Sequence, residues 1–385
     1  MKIINLKFYI FIFFIFNISN AKKIQDLLQE NYSIPFDQLL GKGGTGEIWG
    51  SSSSENIAIK GGENISQCDK IKKEFEIQKN IYNRIEIYDK TLFERILVLN
   101  PSKLISNIAD VCAMEIPRLY PIKEETNKNL ITQLKFGEEN LDSVDKYENE
   151  IITGHSLGLK QINEIINKYS KINNNKTNLE QLFSDLGTFM AILHYKLQLD
   201  GLDMEICMVR EKTNAEIYKL AFLDFGMCNN MSKYFKENKN NKIKKYILSA
   251  LNVEKRLPNP TCTEFKSFKD NYINTAKTEN CEVLATEIVE EHIIQQFIKN
   301  IVIKKYLDEK LKTNGHKTFQ LIGYSNIITN WVQKDILAHI KNNNYNISTD
   351  NTFDYLNKIL PNIIKQKKDA NNLSNLEKIV INKLE

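Results

Sequence analysis

The sequence lacks a strong charge bias, closely spaced cysteine pairs and internal repeats, and each absence excludes a class of protein. The formal net charge of the 385-residue chain is only +4, which gives no reason to expect nucleic-acid binding. None of the six cysteines belongs to a C-x-x-C pair, which argues against a zinc site. No repeat or heptad array is present. Hydrophobic residues nevertheless make up 42% of the chain, enough for a substantial core.

Long apolar segments are also missing, apart from one at the amino terminus. Phe8–Phe16 is continuously apolar but too short to span a bilayer comfortably. It follows Lys2 and Lys7 and precedes Ser19-Asn20-Ala21, which offers a small-x-small cleavage site. Residues 1–21 therefore predict a secretory signal peptide, with an uncleaved anchor as the alternative. The mature chain would be secreted and would keep no stable membrane span.

An even number of cysteines in an exported chain permits disulfides. Cys262 and Cys281 are the pair that we expect to be bridged. Cys112 and Cys207 lie in apolar runs, so we expect them to be buried thiols.

The most informative stretch holds three glycines at G-x-G-x-x-G spacing, Gly41, Gly43 and Gly46. A glycine-rich turn lets backbone N–H groups approach phosphate oxygens, because no Cβ stands in the way. Lys60 follows at the end of the apolar run Ile57–Ile59 and would add a mobile positive charge for the same phosphates. These residues predict a nucleotide-phosphate site, whereas a glycine-rich hairpin without a ligand is the plainer alternative.

The residues around the glycines distinguish three folds that use such a loop. A Walker A loop needs Lys and then Ser or Thr after Gly46, but Glu47 and Ile48 stand there. A Rossmann fingerprint needs a helix at this point, whereas Glu47-Ile48-Trp49 favours a strand and Ser51–Ser54 a hairpin turn. A protein-kinase amino-terminal lobe begins with a strand, a glycine loop, a second strand, a turn and a strand that ends in lysine, which is the order predicted here.

Residues 69–87 predict a helix, since isoleucines recur at helical spacing. Glu74 lies on the same apolar face, and a carboxylate buried alone is costly. In a kinase-like lobe its partner would be Lys60, held against the phosphates by the ion pair. Two alternatives stay open: Glu76 makes the pair, or Glu74 is an exposed residue at the boundary.

Two further strands are predicted at residues 92–98 and 110–116, and the second runs into a linker punctuated by Pro117 and Pro121. Such a linker fits the connection between two lobes. There the backbone of Glu115–Pro117 could hydrogen-bond an adenine edge, although an ordinary strand and turn would give the same pattern. Helices are predicted at residues 160–168, 179–199, 284–312, 318–342 and 353–383. The polar residues 231–283 would hold an acceptor-binding segment.

A second constellation follows the helix at 179–199. Asp200 fits the catalytic aspartate of a kinase loop, and Glu205 stands five residues on, where a metal-binding asparagine is usual. A strand at Ile206–Met208 follows, and a second strand, Lys219–Leu223, ends in Asp224-Phe225-Gly226. Phosphoryl transfer needs a carboxylate beside the acceptor hydroxyl and oxygen ligands for Mg²⁺. A hairpin of the two strands would bring these groups together.

Several positions depart from the kinase pattern. Gln198-Leu199 replaces the usual His-Arg, and Glu205 adds a negative charge in place of the asparagine. Leu202 replaces a lysine, so no side chain there would neutralise the transferred phosphoryl group. Asp203 is an alternative to Asp200 as the working carboxylate. His194 is still on the helix, where a role as a helix-end residue is expected.

His194-Tyr195, the segment Asp200–Ile206 and the segment Phe222–Phe225 resemble an uncharacterised kinase-like family best known from fungal proteins. The segment 113–121 resembles the lobe-connecting segment of the same family. The resemblance covers residues 110–228 and implies a kinase-like fold, without an activity that can be transferred.

We therefore expect an α+β, protein-kinase-like two-lobed fold, with a small antiparallel β lobe at 22–117 and a larger, mainly helical lobe at 118–385 that ends in a helical extension. The first function is an ATP- and Mg²⁺-dependent phosphotransferase acting on a protein or small-molecule hydroxyl. Lys60 and Glu74 would hold the phosphates beside Gly41, Gly43 and Gly46, and Glu115 would contact the nucleotide. Glu205 and Asp224 would bind the metal. Asp200 would orient the acceptor. The second is a catalytically weak pseudokinase that binds nucleotide or a partner as a scaffold. A third, a non-enzymatic helical protein, would require both constellations to be coincidental.

Overall fold

A computed structural model describes residues 24–43, 46–106, 111–121, 178–210, 219–253, 265–297, 335–340, 342–343 and 352–369. The predicted signal peptide at 1–21 and the predicted helix at 160–168 lie outside these residues, as do Cys262 and much of the helix predicted at 318–342. The expected α+β class is confirmed, with an antiparallel sheet and many helices. Within the described part of the chain, no helix has both the length and the apolar character that crossing a membrane would require.

The strands are β1 (Gln38–Gly43), β2 (Gly46–Gly50), β3 (Ile57–Gly62), β4 (Ile96–Val98), β5 (Lys103–Ser106), β6 (Cys112–Pro117), β7 (Tyr120–Pro121), β8 (Glu205–Arg210) and β9 (Lys219–Leu223). The helices are α1 (residues 24–31), α2 (Ile65–Tyr88), α3 (Lys90–Arg95), α4 (Asn178–Ala191), α5 (Ser232–Lys236), α6 (Asn240–Val253), α7 (Phe265–Lys277), α8 (Glu282–Phe297) and α9 (Thr352–Asp369).

Five strands form one antiparallel sheet in the order β1-β2-β3-β6-β5. Helices cover its two faces: Ile24, Leu27 and Leu28 of α1 pack on one face, and α2 packs on the other. Because side chains alternate along a strand, Ile59 faces α1 whereas Lys60 faces α2. The central strand β3 is therefore buried on both sides.

Two consecutive glycines at the end of β3 let both helices approach it. A Cβ on Gly61 would lie 3.1 Å from Ile24 Cδ1 of α1. A Cβ on Gly62 would lie 3.0 Å from Ile71 Cδ1 of α2. Both distances are tighter than ordinary van der Waals contact, so the absence of two side chains sets how closely the helices pack.

Helix α2 confirms the helix predicted at 69–87 and extends it at its amino-terminal end. Asn64 caps it, because its side-chain oxygen accepts a hydrogen bond from Gln67 N at 3.0 Å. Cys68, Ile71 and Phe75 form its apolar face toward the sheet. The sequence period had already placed Glu74 on this face, and the structure buries it there.

The strand predicted at 92–98 is wrong in its first half. Residues Lys90–Arg95 form helix α3, because Asp89 Oδ1 accepts a hydrogen bond from Leu92 N at 2.8 Å and so caps a helical turn. Arg95 then donates two hydrogen bonds to Asp185 of α4, at 2.8 and 2.6 Å. Only Ile96–Val98 is strand, paired in parallel with β9 in a second sheet of order β4-β9-β8-β7.

The helices after β7 enclose the largest apolar core. Helix α4 confirms the prediction at 179–199, and Phe189 on it stacks on Phe222 of β9 with ring centroids 3.6 Å apart. Helix α7 packs against α4, with Phe265 and Phe268 buried. Part of the polar segment 231–283 thus belongs to the core, whereas its predicted role in acceptor binding stays a prediction.

Cys112 is buried as expected, but the two predictions about cysteine pairing are wrong. Cys112 is not a free thiol but forms a disulfide with Cys68, with the two Cα atoms 5.4 Å apart. Cys281 is a free thiol, so the expected Cys262–Cys281 bridge is not formed. Sequence spacing could not indicate the Cys68–Cys112 bridge, because only the packing of α2 on β6 brings these residues together.

Candidate functional site

Lys60 is the centre of a buried group of charges. It stands on β3 between Ile48 of β2 and Met114 of β6. Its Nζ donates hydrogen bonds to Glu74 Oε2 at 2.6 Å and to Asp224 Oδ1 at 3.1 Å. The partner of Lys60 on α2 is therefore Glu74 and not Glu76. Lys60, which follows the glycine loop, also contacts Asp224 of Asp-Phe-Gly, so the two predicted constellations meet at this lysine.

Burial and neighbouring charges shift the pKa values of this group. Burial raises the pKa of Glu74 to about 7, and the carboxylates of Asp224 and Glu205 raise it too, although Lys60 opposes them. Burial alone would lower the pKa of Lys60, but its two carboxylate partners outweigh burial and raise it. The lysine therefore stays charged, while the charges of Asp224 and Glu205 disfavour the ionised form of Glu74.

Asp224 stands in a backbone conformation that side-chain-bearing residues seldom adopt. It follows the end of β9 and has φ 58° and ψ 60°, in the left-handed region. Phe225 after it is completely buried in the main core. A Cβ on Gly226 would lie 3.6 Å from Glu74 Oε2, so this turn packs directly beneath α2. The turn thus aims the Asp224 carboxylate at Lys60.

Glu205 lies at the same end of the β8–β9 hairpin. It begins β8 and pairs with Leu223, the residue before Asp224. Its side chain is exposed, unlike that of Glu74. The predicted hairpin is therefore present and brings both predicted metal-binding carboxylates to one edge of the second sheet.

Asp200 does not have the free carboxylate that an acceptor-orienting residue needs. It is 1% exposed. Its Oδ1 accepts hydrogen bonds from Leu202 N at 3.0 Å and Asn229 N at 2.7 Å, and its Oδ2 accepts one from Asn229 Nδ2 at 2.6 Å. These bonds favour a role for Asp200 in positioning the loop, and its predicted role in orienting an acceptor stays a prediction. Asp203, the alternative weighed from sequence, is exposed and has φ 62°.

Asn229 is a residue that sequence reasoning missed. Besides its bonds to the Asp200 side chain, its carbonyl accepts a hydrogen bond from Asp200 N at 3.1 Å. Met231 N donates to the Gln198 carbonyl at 2.7 Å, one step further along the same two segments. The segment after Asp-Phe-Gly therefore holds the 198–204 loop in place. A neutral asparagine in an asparagine-rich chain carried no signal for this role.

The glycines belong to a hairpin with different constraints at each position. Gly41 and Gly43 lie in β1, and Gly46 begins β2 with φ +138°. A Cβ on Gly46 would overlap the Gly61 carbonyl, so the sheet itself requires glycine there. A Cβ on Gly41 would meet no atom within 4 Å. Packing within the chain therefore does not require glycine at position 41.

The side chain of Glu115 lies on the sheet face opposite Lys60, because Glu115 neighbours Met114 on β6. Its side chain accepts a hydrogen bond from Ser102 Oγ, and its carbonyl accepts one from Ser102 N at 3.0 Å. The Glu115 carbonyl is therefore used within the sheet, whereas the adenine contact predicted for the backbone of Glu115–Pro117 stays a prediction.

A group of apolar side chains around Lys60 was also missed. Ala58 and Met114 are buried in one cluster on the Lys60 face of the sheet, and the half-buried Ile48 and Leu223 pack against that cluster. Alternation along β3 could have identified Ala58, which is two residues before Lys60, whereas Ile48 depends on the pairing of β2 with β3. Met114 and Leu223 depend on strand pairing that only the structure gives.

His194 takes no part in the charged group. It lies in a single π-helical turn, Ile192–Lys196, that continues α4, which agrees with its expected place at the helix end. Its Nδ1 lies 2.8 Å from the Tyr272 hydroxyl, which is itself 3.0 Å from that of Tyr195. Burial lowers the pKa of His194 to about 3, so it stays neutral and acts as a core residue.

The comparisons with known proteins add no family to this geometry. No protein-family model matches the chain, and no curated protein matches it. Among the described residues, no group of three or more His, Cys, Asp or Glu side chains is arranged to hold a metal ion. The residues around Lys60 are therefore the features of this chain that point to a function.

Proposed function

We propose that this chain is a secreted, two-lobed, kinase-like protein that binds ATP with Mg²⁺ and transfers phosphate to a protein or small-molecule hydroxyl. One observation carries the proposal: the buried Lys60 donates hydrogen bonds to the buried Glu74 and to the half-buried Asp224, so the three side chains form one group. A lysine on the third strand, a glutamate on the next helix and the aspartate of Asp-Phe-Gly are the three parts that kinases must bring together.

The nucleotide would lie on the Lys60 face of the five-stranded sheet. The half-buried Ile48 and Leu223 and the buried Ala58 offer apolar surface for a base. Lys60 would contact the phosphates, and Glu74 keeps its ammonium group in place. The backbone of β1 near Gly41 and Gly43 could approach the phosphates because no Cβ intervenes.

The residues present fit a magnesium ion held together with phosphates. Mg²⁺ in such sites takes one or two carboxylates from the protein and completes its shell with phosphate oxygens and water. Asp224 and Glu205 supply two carboxylates at one end of the β8–β9 hairpin. The ion would neutralise the charge of the phosphates and offset the repulsion that raises the pKa of Glu74. A set of three protein ligands is therefore not required.

The acceptor hydroxyl would be oriented by Asp203. Asp203 is exposed and lies on the same short loop as Asp200, whose carboxylate is used to fix that loop. In this arrangement Asp200 and Asn229 position the loop, and Asp203 contacts the acceptor.

A second candidate is a catalytically weak pseudokinase that binds nucleotide or a protein partner as a scaffold. Two observations favour it. The expected acceptor-orienting Asp200 is buried and bonded, and Leu202 stands where a lysine would neutralise the transferred group. The enzyme requires nucleotide binding at Lys60, and a scaffold that binds nucleotide differs from it only in transfer, whereas a scaffold that binds only a protein partner does not require the nucleotide.

Thermal unfolding with ATP and Mg²⁺ tests both candidates, with Lys60→Ala and Asp224→Ala as site variants. Lys42→Ala is the matched control, since Lys42 belongs to the same glycine hairpin but pairs with Glu47 at 2.7 Å and is 64% exposed. We expect ATP with Mg²⁺ to raise the unfolding temperature of the parent chain and of the Lys42 variant, but of neither site variant. Phosphate transfer to added acceptors would select the enzyme, and its absence the scaffold. Equal stabilisation of all four proteins, or of none, would contradict the nucleotide site.

Secretion is tested separately. We expect the full chain, expressed in secretory cells, to reach the medium with a new amino terminus after Ala21. Retention in the membrane fraction with residues 1–21 still attached would instead select the uncleaved anchor.

A further inference from the structure

A disulfide joins α2, which bears Glu74, to β6, the strand that pairs with β3 beside Lys60. Cys68 lies on α2 and Cys112 on β6, and both are buried, with exposed fractions of 5% and 1%. The bridge stands within the apolar cluster that packs α2 on the sheet. It cross-links the helix that bears Glu74 to the sheet that bears Lys60, in addition to the short backbone link between Gly62 and Ile65.

The bridge and the ion pair lie next to each other along both elements. On β6, Cys112 and Met114 are alternate residues, so they share a face, and Met114 is the partner of Lys60 across the strands. On α2, Cys68 precedes Glu74 by less than two turns, and both belong to the buried side of the helix. Any movement that separates the first turns of α2 from β6 would therefore also withdraw Glu74 from Lys60.

The remaining contacts hold this part of α2 less firmly than a covalent bond does. A buried ion pair contributes little net stability, because desolvation of both charges offsets their attraction. The raised pKa of Glu74 reflects the same cost. Gly62 lets Ile71 and Gln67 approach closely, but these contacts depend on the helix already being in place. A disulfide does not depend on them, and it limits how far α2 can move from β6.

We propose that Cys68 and Cys112 are positioning residues, whose disulfide keeps Glu74 against Lys60 and makes nucleotide affinity depend on oxidation of the chain. The affinity part rests on the proposed function. A dithiol reductant would supply two electrons and two protons, convert the bridge into two thiols and itself become a disulfide. Without the bridge, the first turns of α2 can shift away from β6, which moves Glu74 away from Lys60 and leaves Asp224 as the carboxylate partner of Lys60.

The experiment compares the parent chain with the Cys68→Ala/Cys112→Ala double variant by two readouts. Hydrogen exchange reports the protection of α2, and titration with ATP and Mg²⁺ reports affinity. We expect at least tenfold faster exchange in residues 65–78, unchanged exchange in β8 and β9, and at least tenfold weaker ATP binding. Reduction of the parent chain with dithiothreitol should reproduce the double variant and have no further effect on the variant itself.

Two controls separate positioning from general destabilisation. Cys281→Ala removes a free thiol outside the bridge and should change neither readout. Phe268→Leu, in the core between α4 and α7, should lower the unfolding temperature as the double variant does, yet leave ATP affinity unchanged. If the double variant keeps the parent's exchange and affinity, the inference is overturned. If no form binds ATP, the proposed function fails, whereas the exchange of α2 still decides whether the bridge positions the helix.

Discussion

Lys60 and Asp224 are separated by 164 positions in the chain, yet Lys60 Nζ lies 3.1 Å from Asp224 Oδ1. The contact joins the central strand of one sheet to the end of a hairpin in the other. Glu74 completes it from α2, so three elements meet at one ammonium group. Burial of charged side chains is costly, and buried groups with shifted pKa values are concentrated at functional sites. The group around Lys60 is therefore a candidate ligand site.

The first prediction concerns the stability of the buried pair. Lys60→Met should destabilise the fold by about 3 kcal/mol, because it leaves Glu74 buried without its cation. Glu74→Gln in the Lys60→Met background should recover part of this loss, since a neutral amide costs less to bury than a carboxylate. Denaturant unfolding of the two single variants, the double variant and the parent measures the coupling.

The control for that cycle is the exposed pair Lys277–Glu282, whose Nζ and Oε2 lie 3.4 Å apart and whose side chains are 64% and 49% exposed. Because both charged groups stay hydrated, Lys277→Met should cost well under about 1 kcal/mol. A coupling between Lys60 and Glu74 no larger than that of this surface pair would contradict their placement in the interior.

The second prediction concerns pH. The pKa of Glu74 in the folded chain is raised from 4.5 to about 7, so between these values the folded state binds more protons than the unfolded state. The free energy of unfolding should therefore fall as pH rises from about 4.5 to 7 through this residue. Glu74→Gln should remove that part of the slope. Urea unfolding at a series of pH values, without nucleotide and with a chelator, measures it.

The neighbours of Glu74 give an internal check on the pH prediction. Asp224 and Glu205 raise its pKa through their charges, whereas Lys60 lowers it. Glu205→Gln should therefore move the slope to lower pH without abolishing it. A slope that is identical in the parent and in Glu74→Gln would show that another group titrates in this window.

The third prediction separates the two possible reasons for the glycines. Gly46→Ala should destabilise the chain by at least about 2 kcal/mol, since its Cβ would strike the Gly61 carbonyl and its φ is +138°. Gly41→Ala should change stability by less than about 0.5 kcal/mol, because its Cβ would enter open space. If phosphates approach the backbone there, Gly41→Ala should nevertheless weaken ATP binding at least tenfold. Unchanged affinity would support a hairpin that has no ligand.

How much the sequence predicts depends on how local the cause is. Helix α2 and the placement of Glu74 on its buried face follow from the isoleucine period alone. The β8–β9 hairpin follows from two apolar runs that end in charged residues. The start of β4 was misassigned because the cap at Asp89 competes with the β-propensity of the apolar run, and a single side-chain hydrogen bond decides between helix and strand.

The missed parts of the site are those that depend on pairing across the chain. The Cys68–Cys112 bridge needs α2 to lie on β6, and the role of Asn229 needs the 198–204 loop to lie beside the segment after Asp-Phe-Gly. Neither composition nor spacing contains these relationships.

The last prediction decides between Asp200 and Asp203. Asp200→Asn should destabilise the loop, because its amide group would face the amide of Asn229, which now donates to Asp200 Oδ2 at 2.6 Å. Adding Asn229→Asp should restore the bond with the roles reversed, and with it both stability and phosphate transfer. Asp203→Asn should leave stability unchanged, since asparagine tolerates the left-handed backbone at this position equally well, yet abolish transfer. Thermal unfolding and a transfer assay on the four proteins measure both effects. A double variant that is as stable as the parent but inactive, beside an active Asp203→Asn variant, would instead make Asp200 the acceptor-orienting carboxylate.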